Sequence, residues 1–368
     1  MSEPRLWNLS DFYVNMNSFG NIYRLTSFGE SHGRAVGGVI DGMPPRKVID
    51  LRQLQSQLDR RRPGRSPLTS ARSESDRLQI LSGVMGYDVL TGEVGPLTDE
   101  CRHGITLGTP VGFMVENSDA RSGDYEALRH VYRPSHADFT YDARYRIRDW
   151  RGGGRASGRE TVSRVVAGAF AGQLLQEKGV AVSARICRVG GIDNPSAEEL
   201  ERVIMNARLD ADSVGGVAEC VITGLDAGVG EPVFGKLHQM LGSAMLSIGA
   251  VKGVEFGMGF EGVSHSGSEM ADLFTVDEEG RIRTVTNNSG GIQGGISNGG
   301  DVVMRIAVKP TPTITREMPT VDDAGHQVTV NARGRHDPCI LPRVLPVVEA
   351  MAAMTVFDAM LMRNASEF

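Results

Sequence analysis

A run of three glycines that leads into a helix pattern constrains this chain more than any other segment. The glycines at positions 152–154 precede Ser157 and Glu160, which stand in the S-x-x-E relation of a helix capping box. Apolar residues then recur at helical spacing, namely Val162, Val165, Val166, Ala169, Phe170 and Leu174. We therefore predict a helix that begins at about Gly158 and buries one apolar face.

The start of such a helix is a candidate anion site, because its free N–H groups and the glycine backbone together form a nest. Arg151, Arg155 and Arg159 would add positive charge. An exposed helix end contributes only about 0.3–1 kcal/mol, so the arginines must supply most of the affinity. The alternatives are solvated arginines in a glycine loop, or an RGG-like segment that binds RNA.

The charge of the chain argues against a general nucleic-acid binder. Its 368 residues carry a formal net charge of -6, whereas nucleic-acid-binding domains are typically basic. Lysine accounts for five of the 39 basic residues and arginine for the other 34. The planar fork of arginine matches carboxylates and phosphates, which favours a local pocket for a small ligand with several negative charges. Arginine-rich codon usage is the alternative explanation.

Composition predicts a soluble chain with a large core, since 40% of its residues are apolar and no apolar run is long enough to cross a bilayer. The first residues do not resemble a secretion signal. The four cysteines are far apart and lack C-x-x-C or metal-type spacing, which is typical of reduced thiols in the cytoplasm. We find no linker, and we predict a cytoplasmic protein with no metal site.

Periodicity predicts antiparallel strands mixed with helices. Residues 22–26 and 36–40 indicate two strands around a glycine-rich turn, and Asp50 can cap a short helix that carries Leu54 and Leu58. Further strands are predicted at 78–85, 105–117, 180–192, 217–225, 249–260 and 302–308. Further helices are predicted after Ser196, where Glu199 completes a second capping box, at about 233–247 and at about 342–363. Residues 263–300 indicate a long lid or cofactor-cradling loop.

Two glycine motifs are weak signals. The G-x-S-x-G pattern at 29–33 would make Ser31 the nucleophile of a serine hydrolase, but the β-prone residues after it do not favour the required helix. The G-x-G-x-x-G pattern at 257–262 opens onto a loop composition, so a dinucleotide-binding turn is not expected. His136 lies three residues from Arg133, and both can face the same ligand.

Eight motifs, in order along the chain, resemble chorismate synthase. They are GESHGRAVGGVIDGMP (29–44), RRRPG (60–64), RPSHAD (133–138), RGGGRASGRETVSRVVAGA (151–169), SIGAVKGVEFG (247–257), GGIQGGISNG (290–299), KPTPT (309–313) and GRHDPC (334–339). The likeness runs from about Asn21 to Met360. It implies an α+β fold, a β-α-β sandwich of helices between two antiparallel sheets, formed by one domain over 1–368 and assembled as a homotetramer.

The same resemblance implies an activity. Members of this family convert 5-enolpyruvylshikimate 3-phosphate to chorismate and phosphate by an anti-1,4-elimination, a carbon–oxygen lyase reaction of the shikimate pathway and aromatic amino acid biosynthesis. The reaction needs reduced FMN (FMNH2) although it is redox-neutral overall. A separate flavin reductase is expected to supply the FMNH2. Neither nucleic acid nor a membrane is expected as a partner.

Site residues follow from the motif positions in this resemblance. His32 would protonate the departing phosphate, His136 would lie near flavin N1, and Asp337 would act with flavin N5 to remove the proton at C6. The arginines expected to hold substrate are Arg61, Arg133, Arg159 and Arg335. The flavin contacts map to Arg155, Ala156, Ser157, Gly249, Ala250, Gly294, Lys309, Pro310, Thr311, Pro312, Thr313 and Arg335.

Three positions depart from the family pattern. Ala156 replaces a common serine and Gly249 a common asparagine, so two side-chain contacts to FMN would be lost. Pro67 stands where some members carry an arginine assigned to NADPH. We therefore expect an altered flavin affinity. No extra segment indicates a built-in flavin reductase, so we expect a monofunctional enzyme that other proteins supply with FMNH2. The resemblance also implies a link to NADP.

Overall fold

Helices and antiparallel strands alternate along the chain. The computed structural model describes residues 17–64, 74–119, 122–331 and 337–366. The helices are α1 (Leu51–Arg61), α2 (Asp138–Tyr145), α3 (Thr161–Gln176), α4 (Ala197–Leu209), α5 (Leu237–Leu246), α6 (Gly267–Met270) and α7 (Leu341–Ser366). The strands are β1 (Ser18–Phe19), β2 (Arg24–Phe28), β3 (Ala35–Asp41), β4 (Val48–Asp50), β5 (Gln79–Ile80), β6 (Val84–Tyr87), β7 (Val94–Gly95), β8 (His103–Thr106), β9 (Val111–Glu116), β10 (Ala181–Val189), β11 (Ile192–Asp193), β12 (Gly216–Thr223), β13 (Val251–Phe256), β14 (Phe274–Val276), β15 (Ile282–Thr284), β16 (Ile292–Gln293), β17 (Ile296–Ser297), β18 (Val302–Val308), β19 (Met318–Val321) and β20 (Gln327–Val330).

Two five-stranded sheets form the outer layers. Their strand orders are β1-β2-β3-β9-β5 and β11-β10-β12-β18-β13, and each pairing in them is antiparallel. A smaller sheet, β4-β8-β6-β7, and the hairpins β14-β15, β16-β17 and β19-β20 complete the strand pairing of the described ranges. The predicted α+β fold is confirmed.

Helices α3 and α7 pack against each other between the two large sheets. Helix α3 contacts β2 and β3, whereas α7 contacts β10 and β12. Gly168 permits the close helix crossing, because a side chain there would overlap Ala350. Helix α7 is long and apolar enough to span a membrane by composition, yet 78% of its most apolar window is buried. It is the central core helix, and the predicted sandwich of helices between sheets is confirmed.

Asp358 of α7 ties this core to the start of the first sheet. Its carboxylate, 3% exposed, accepts hydrogen bonds from the backbone N–H groups of Asn21, Ile22 and Tyr23 at 2.7–2.9 Å. The Asn21 side-chain amide donates a fourth hydrogen bond at 2.9 Å. Strand β2 therefore begins from a segment that is fixed by a helix more than 330 residues further along the chain.

Several local predictions are confirmed. The side chain of Asp50 caps α1 by accepting from the backbone N–H groups of Arg52 and Gln53. Ser196 and Glu199 form the predicted capping box at α4. The strand predictions at 22–26, 36–40, 217–225 and 302–308 correspond to β2, β3, β12 and β18, and the predicted last helix corresponds to α7.

The predicted capping box at Ser157 and Glu160 is wrong. Helix α3 begins at Thr161 rather than Gly158, and a short 3-10 turn, Gly158–Glu160, precedes it. The Ser157 side chain accepts from the backbone N–H of Arg159. The carboxylate of Glu160 instead accepts from Arg164 Nε at 3.0 Å, one helical turn further on. A charged partner for the glutamate has displaced the reciprocal cap.

Other predicted boundaries need correction. The predicted strands 78–85, 105–117 and 180–192 are each two strands, since glycines with left-handed backbones, such as Gly83 with a φ of 82°, break them. The strand predicted at 249–260 is β13, which ends at Phe256, and the helix predicted at 233–247 is α5, which begins at Leu237. Residues 263–300 are no long loop, because they hold α6 and the hairpins β14-β15 and β16-β17.

Candidate active site

The three glycines form a narrow strip of backbone between two histidines. Residues 152–154 all have positive φ values of 62°, 87° and 54°, a conformation that glycine adopts without strain. A Cβ atom on Gly152 would lie 2.5 Å from His32 Nε2, and one on Gly153 would lie 3.0 Å from His136 Cε1. The absence of side chains at these two positions lets both imidazoles approach the same backbone.

His136 belongs to a buried group of charges at the start of α2. Its Nδ1 lies 3.0 Å from Asp138 Oδ1 and 3.1 Å from Arg133 Nη2. Arg133 donates from Nε and Nη2 to the two Asp138 oxygens, both at 2.8 Å, so the guanidinium and carboxylate planes meet as a fork. Arg133 and Asp138 are 5% and 3% exposed, and this bidentate pair fixes the position of His136.

The environment keeps His136 mainly neutral at pH 7. Burial lowers the pKa of the imidazole below its ordinary value, and the nearby Arg133 and Lys309 cations lower it further, whereas Asp138 opposes this change. Burial by itself raises the pKa of Asp138, but the hydrogen bonds from Arg133 and His136 outweigh it and hold that pKa below its ordinary value. Asp138 is therefore ionised.

A second buried ion pair network holds two arginines. Asp76 is 0% exposed and bridges Arg61 and Arg159, with Arg61 Nη2 at 2.8 Å from Asp76 Oδ2 and Arg159 Nη1 on the other oxygen. Arg61 Nη1 also donates to the carbonyl of Gly158 at 3.2 Å. Burial lowers the pKa of Arg61 to about 10, which leaves the guanidinium protonated at neutral pH. Both arginines are thus held as cations in fixed orientations.

The segment after β18 connects the two acid–base candidates. Lys309 Nζ donates to the carbonyl of Ser135 at 2.7 Å, next to His136. Thr311 Oγ1 donates to the backbone carbonyl of Asp337 at 2.7 Å. The side chain of Asp337, 9% exposed, forms an ion pair with Arg343 at the start of α7. A rigid Pro-Thr segment therefore fixes the loops of His136 and Asp337 relative to each other.

One cavity of about 640 Å³ is lined by His136, Asp337 and the cations of both buried networks. Its described lining carries eight cationic and three acidic side chains, namely Arg61, Arg133, Arg155, Arg159, Arg164, Lys252, Lys309 and Arg343 against Glu74, Glu160 and Asp337. The Arg155 guanidinium donates to Ser27 Oγ at 2.6 Å. A second cavity of about 750 Å³ adjoins the first and shares His136 and Arg155 with it. The first cavity is suited to a ligand with several negative charges.

Most predicted site residues meet at this cavity. Those that line it are His136, Asp337, Arg61, Arg133, Arg159, Arg155, Ala156, Ser157, Gly249, Ala250, Lys309, Thr311, Pro312 and Thr313. His32 lies behind the lining, against Gly152 and with its ring 5.1 Å from the ring of Tyr125, and both of these neighbours line the cavity. Pro310 belongs to the lining segment but is not itself part of the wall.

One predicted contact, Gly294, does not join them. Gly294 lies in the turn between β16 and β17, outside the cavity wall, where the next residue, Gly295, accepts a hydrogen bond from the N–H of Leu237 at 2.7 Å. The hairpin is thereby held against α5 rather than the cavity. Arg335 and Pro67 lie outside the described residues.

The structure disfavours both alternative functions. Ser31 is 1% exposed and lies in the turn between β2 and β3, without the helix that a nucleophile elbow requires. Arg155 and Arg159 bind protein groups inside the cavity rather than forming a solvated Arg-Gly loop. The G-x-G-x-x-G motif leads into a 3-10 turn, Glu261–Ser264, as expected for a loop.

Sequence reasoning missed the acids behind the cavity and some of its cations. Asp76 lies in a polar S-E-S-D stretch, which gives no signal of burial. Asp138 was part of a recognised motif, and its place two residues after His136 was the available signal. Arg343 belongs to the first turn of an apolar helix, where a cation is easily interpreted as solvated.

Together, the fold and the cavity define an α+β protein with acid–base side chains in a cationic site, the arrangement of an enzyme for a multiply anionic substrate. The sequence model of the chorismate synthase family matches residues 23–361. Chorismate synthases of Azobacteroides pseudotrichonymphae and Bacteroides fragilis are 47% and 48% identical to the chain, over 93% and 95% of it and 98% and 99% of their own lengths. A crystal structure of chorismate synthase matches with a TM-score of 0.70 and 25% identity, covering 95% of this chain and 94% of that one. The chain belongs to the chorismate synthase family, and the enzyme is a lyase of the shikimate pathway.

Proposed function

We propose that the protein eliminates phosphate from 5-enolpyruvylshikimate 3-phosphate to give chorismate, with reduced FMN as cofactor. The observation that carries the proposal is the excess of cations in a cavity that also holds His136 and Asp337. The substrate has two carboxylates and a phosphate, and FMN has another phosphate, so both ligands need several fixed cations. Membership of the family supports this assignment.

The residues of the cavity fit a flavin. Its volume of about 640 Å³ is typical of a ligand site. A Cβ atom on Gly249 would meet no neighbour within 4 Å, so the backbone there is open to a planar ligand. Arg61 Nε is a buried donor with no acceptor in the described part of the chain, as expected for a group that faces a ligand. When bound, reduced FMN would supply electron density as the phosphate leaves.

The residues that would hold FMN are those of three lining segments. They are Arg155, Ala156 and Ser157, then Gly249 and Ala250, and then Lys309, Thr311, Pro312 and Thr313. Lys309 offers a cation, Thr311 and Thr313 offer hydroxyl groups, and the remaining positions offer backbone groups. Gly294, Pro310 and Arg335 stay predicted contacts from the resemblance.

Side chains of the protein would carry out the proton transfers. His32 would hold the proton that the leaving phosphate takes, and the missing side chain of Gly152 leaves room beside its Nε2. Asp337 would assist removal of the proton at C6. Arg61, Arg133 and Arg159 would hold the acidic groups of the substrate, because buried carboxylates already fix their orientations.

The test is an anaerobic assay with the substrate, with and without reduced FMN, that follows phosphate release and the absorbance of the diene. We expect turnover only with reduced FMN. His32→Ala and His136→Ala should each lower turnover by about 10²–10⁴-fold with unchanged circular dichroism. His326→Ala is the matched control, because this histidine is 75% exposed and pairs with Asp322. Wild-type turnover in both active-site variants would contradict the assigned roles.

We also propose a homotetramer of single-domain subunits over 1–368, located in the cytoplasm and supplied with FMNH2 by a separate flavin reductase. Exposed apolar side chains on and near the β14-β15 hairpin support subunit contacts. They are Phe260, Val263, Phe274, Val276 and Ile282, each at least 63% exposed. One hydrophobic cluster spans both large sheets, and all four cysteines are free thiols. Light scattering that gives a monomer mass would contradict the assembly.

A further inference from the structure

The carboxylate of Asp138 lies behind His136 and is surrounded by hydrogen-bond donors. Its Oδ2 accepts from the backbone N–H of Arg133 at 3.0 Å and from Arg133 Nε at 2.8 Å. Its Oδ1 accepts from Arg133 Nη2 at 2.8 Å and lies 3.0 Å from His136 Nδ1, with Arg148 Nη1 at 3.3 Å. These hydrogen bonds therefore hold both carboxylate oxygens in fixed positions.

This arrangement decides which imidazole nitrogen carries the proton. An ionised carboxylate only accepts hydrogen bonds, so a contact of 3.0 Å between Oδ1 and Nδ1 requires a proton on Nδ1. Arg133 Nη2 carries two hydrogens and one of them can also point at Nδ1 from 3.1 Å, but the nearer Asp138 Oδ1 is an anion and would repel a lone pair on Nδ1. A neutral imidazole has one N–H, and the Nε2 atom therefore keeps its lone pair.

Nε2 is the atom that a ligand would meet. A Cβ atom on Gly153 would lie 3.2 Å from it, and Gly153 has no such atom. His136 lines the cavity, and its side chain is only 13% exposed. Within the described ranges, the charged groups that act on the ring are Arg133, Asp138 and Lys309.

We propose that Asp138 is a positioning residue that holds His136 as the Nδ1–H tautomer, so that Nε2 presents a hydrogen-bond acceptor to a donor group of the ligand in the cavity. The identity of that ligand rests on the proposed function, whereas the tautomer does not. Without Asp138, Nδ1 would be left beside Arg133, whose guanidinium only donates. The ring would then accept at Nδ1 and donate at Nε2, which reverses its behaviour toward the ligand.

Asp138→Asn tests this inversion. The amide oxygen should take the Oδ2 position, because the fixed backbone N–H of Arg133 and its Nε both donate there, whereas Arg133 Nη2, the donor at the Oδ1 position, can turn away from the amide NH2. The amide NH2 group then occupies the Oδ1 position and donates to Nδ1, which forces the Nε2–H tautomer. Asp142→Asn is the matched control on the same helix, because Asp142 pairs with Arg148 at 2.9 Å and not with His136.

The measurement is nitrogen-15 NMR of the imidazoles in histidine-labelled protein, with His136→Gln to assign the signal among eight histidines. We expect the Nδ1–H form in wild type and Asp142→Asn, and the Nε2–H form with a lower pKa of His136 in Asp138→Asn. Turnover of Asp138→Asn should fall by about 10²-fold, as when an acid–base group is misplaced.

Two results would overturn the proposal: an Nε2–H ring in wild type, or the same tautomer in wild type and Asp138→Asn. If Asp138→Asn does not fold, the wild-type spectrum still decides, because an Nε2–H ring alone contradicts the assignment. A wild-type protein that forms no chorismate would overturn the proposed function and would leave the NMR result standing.

Discussion

Replacing Asp76 by asparagine tests how the cavity holds its arginines. The carboxylate is fully buried and contacts Arg61 and Arg159, whose side chains are 1% and 3% exposed. The variant keeps the volume but leaves two guanidinium groups without the negative charge between them. Removal of one partner from a buried ion pair costs about 3–5 kcal/mol, so we expect the free energy of unfolding of Asp76→Asn to fall by about that amount.

The assay is urea denaturation followed by circular dichroism at one protein concentration. Asp41→Asn is the control, because the Arg24–Asp41 ion pair is about half exposed and its loss should cost about 0–1 kcal/mol. Burial alone would raise the pKa of Asp76, but the two arginines hold it below its ordinary value, so its stabilisation is present above the unfolded pKa and is lost in acid. Equal destabilisation by the two substitutions at pH 7 would refute the reasoning.

Two further predictions concern the histidines. Gly152→Ala should lower the melting temperature and turnover, because it strains a φ of 62° and places a Cβ 2.5 Å from the His32 ring, whereas Gly172→Ala in α3, with no atom within 4 Å of its Cβ, should lower neither. The pKa of His136 is lowered by burial, so the unfolded chain binds more protons as the pH falls from about 7 to 5. Wild type should therefore lose more stability over that range than His136→Gln, and parallel pH–stability curves would contradict this.

Helix caps show how far local sequence determines structure. Ser196 with Glu199 and Ser157 with Glu160 have the same spacing, yet only the first pair forms a capping box. Glu160 has Arg164 one turn further on and pairs with it. The sequence pattern indicates which residues can cap a helix. Whether they form the cap also depends on competing partners such as Arg164.

The sequence predicted the presence of the strands more accurately than it predicted where they begin and end. The alternation in β2, β3, β12 and β18 follows burial on one face, and these strands were predicted near their true positions. Glycines inside the other apolar runs turned the chain, so that β5 and β6 belong to different sheets. The strands of the two hairpins within 263–300 have only two or three residues each, which is too few to show a hydrophobic period.

The motifs of the resemblance predicted most of the candidate site, because the fold brings the arginines and His136 of those motifs to one cavity. The acids that orient those arginines were not predicted. Asp76 lies 15 residues from Arg61 and 83 from Arg159, and only the packed fold places it between them. Gly294 was predicted from the resemblance alone, and the path of its hairpin along α5 depends on tertiary contacts.

The anchoring of Asn21, Ile22 and Tyr23 by Asp358 has a consequence for biosynthesis. The two sides of this contact are 335–337 residues apart, so the earliest strands emerge from the ribosome long before their anchor is synthesised. Until α7 is released, helix α3, which covers the first sheet, lacks its helical partner and exposes the apolar face that packs against α7. Folding of the core must therefore wait for α7, and the interval before it emerges is when transiently exposed apolar surface makes the chain most prone to aggregation.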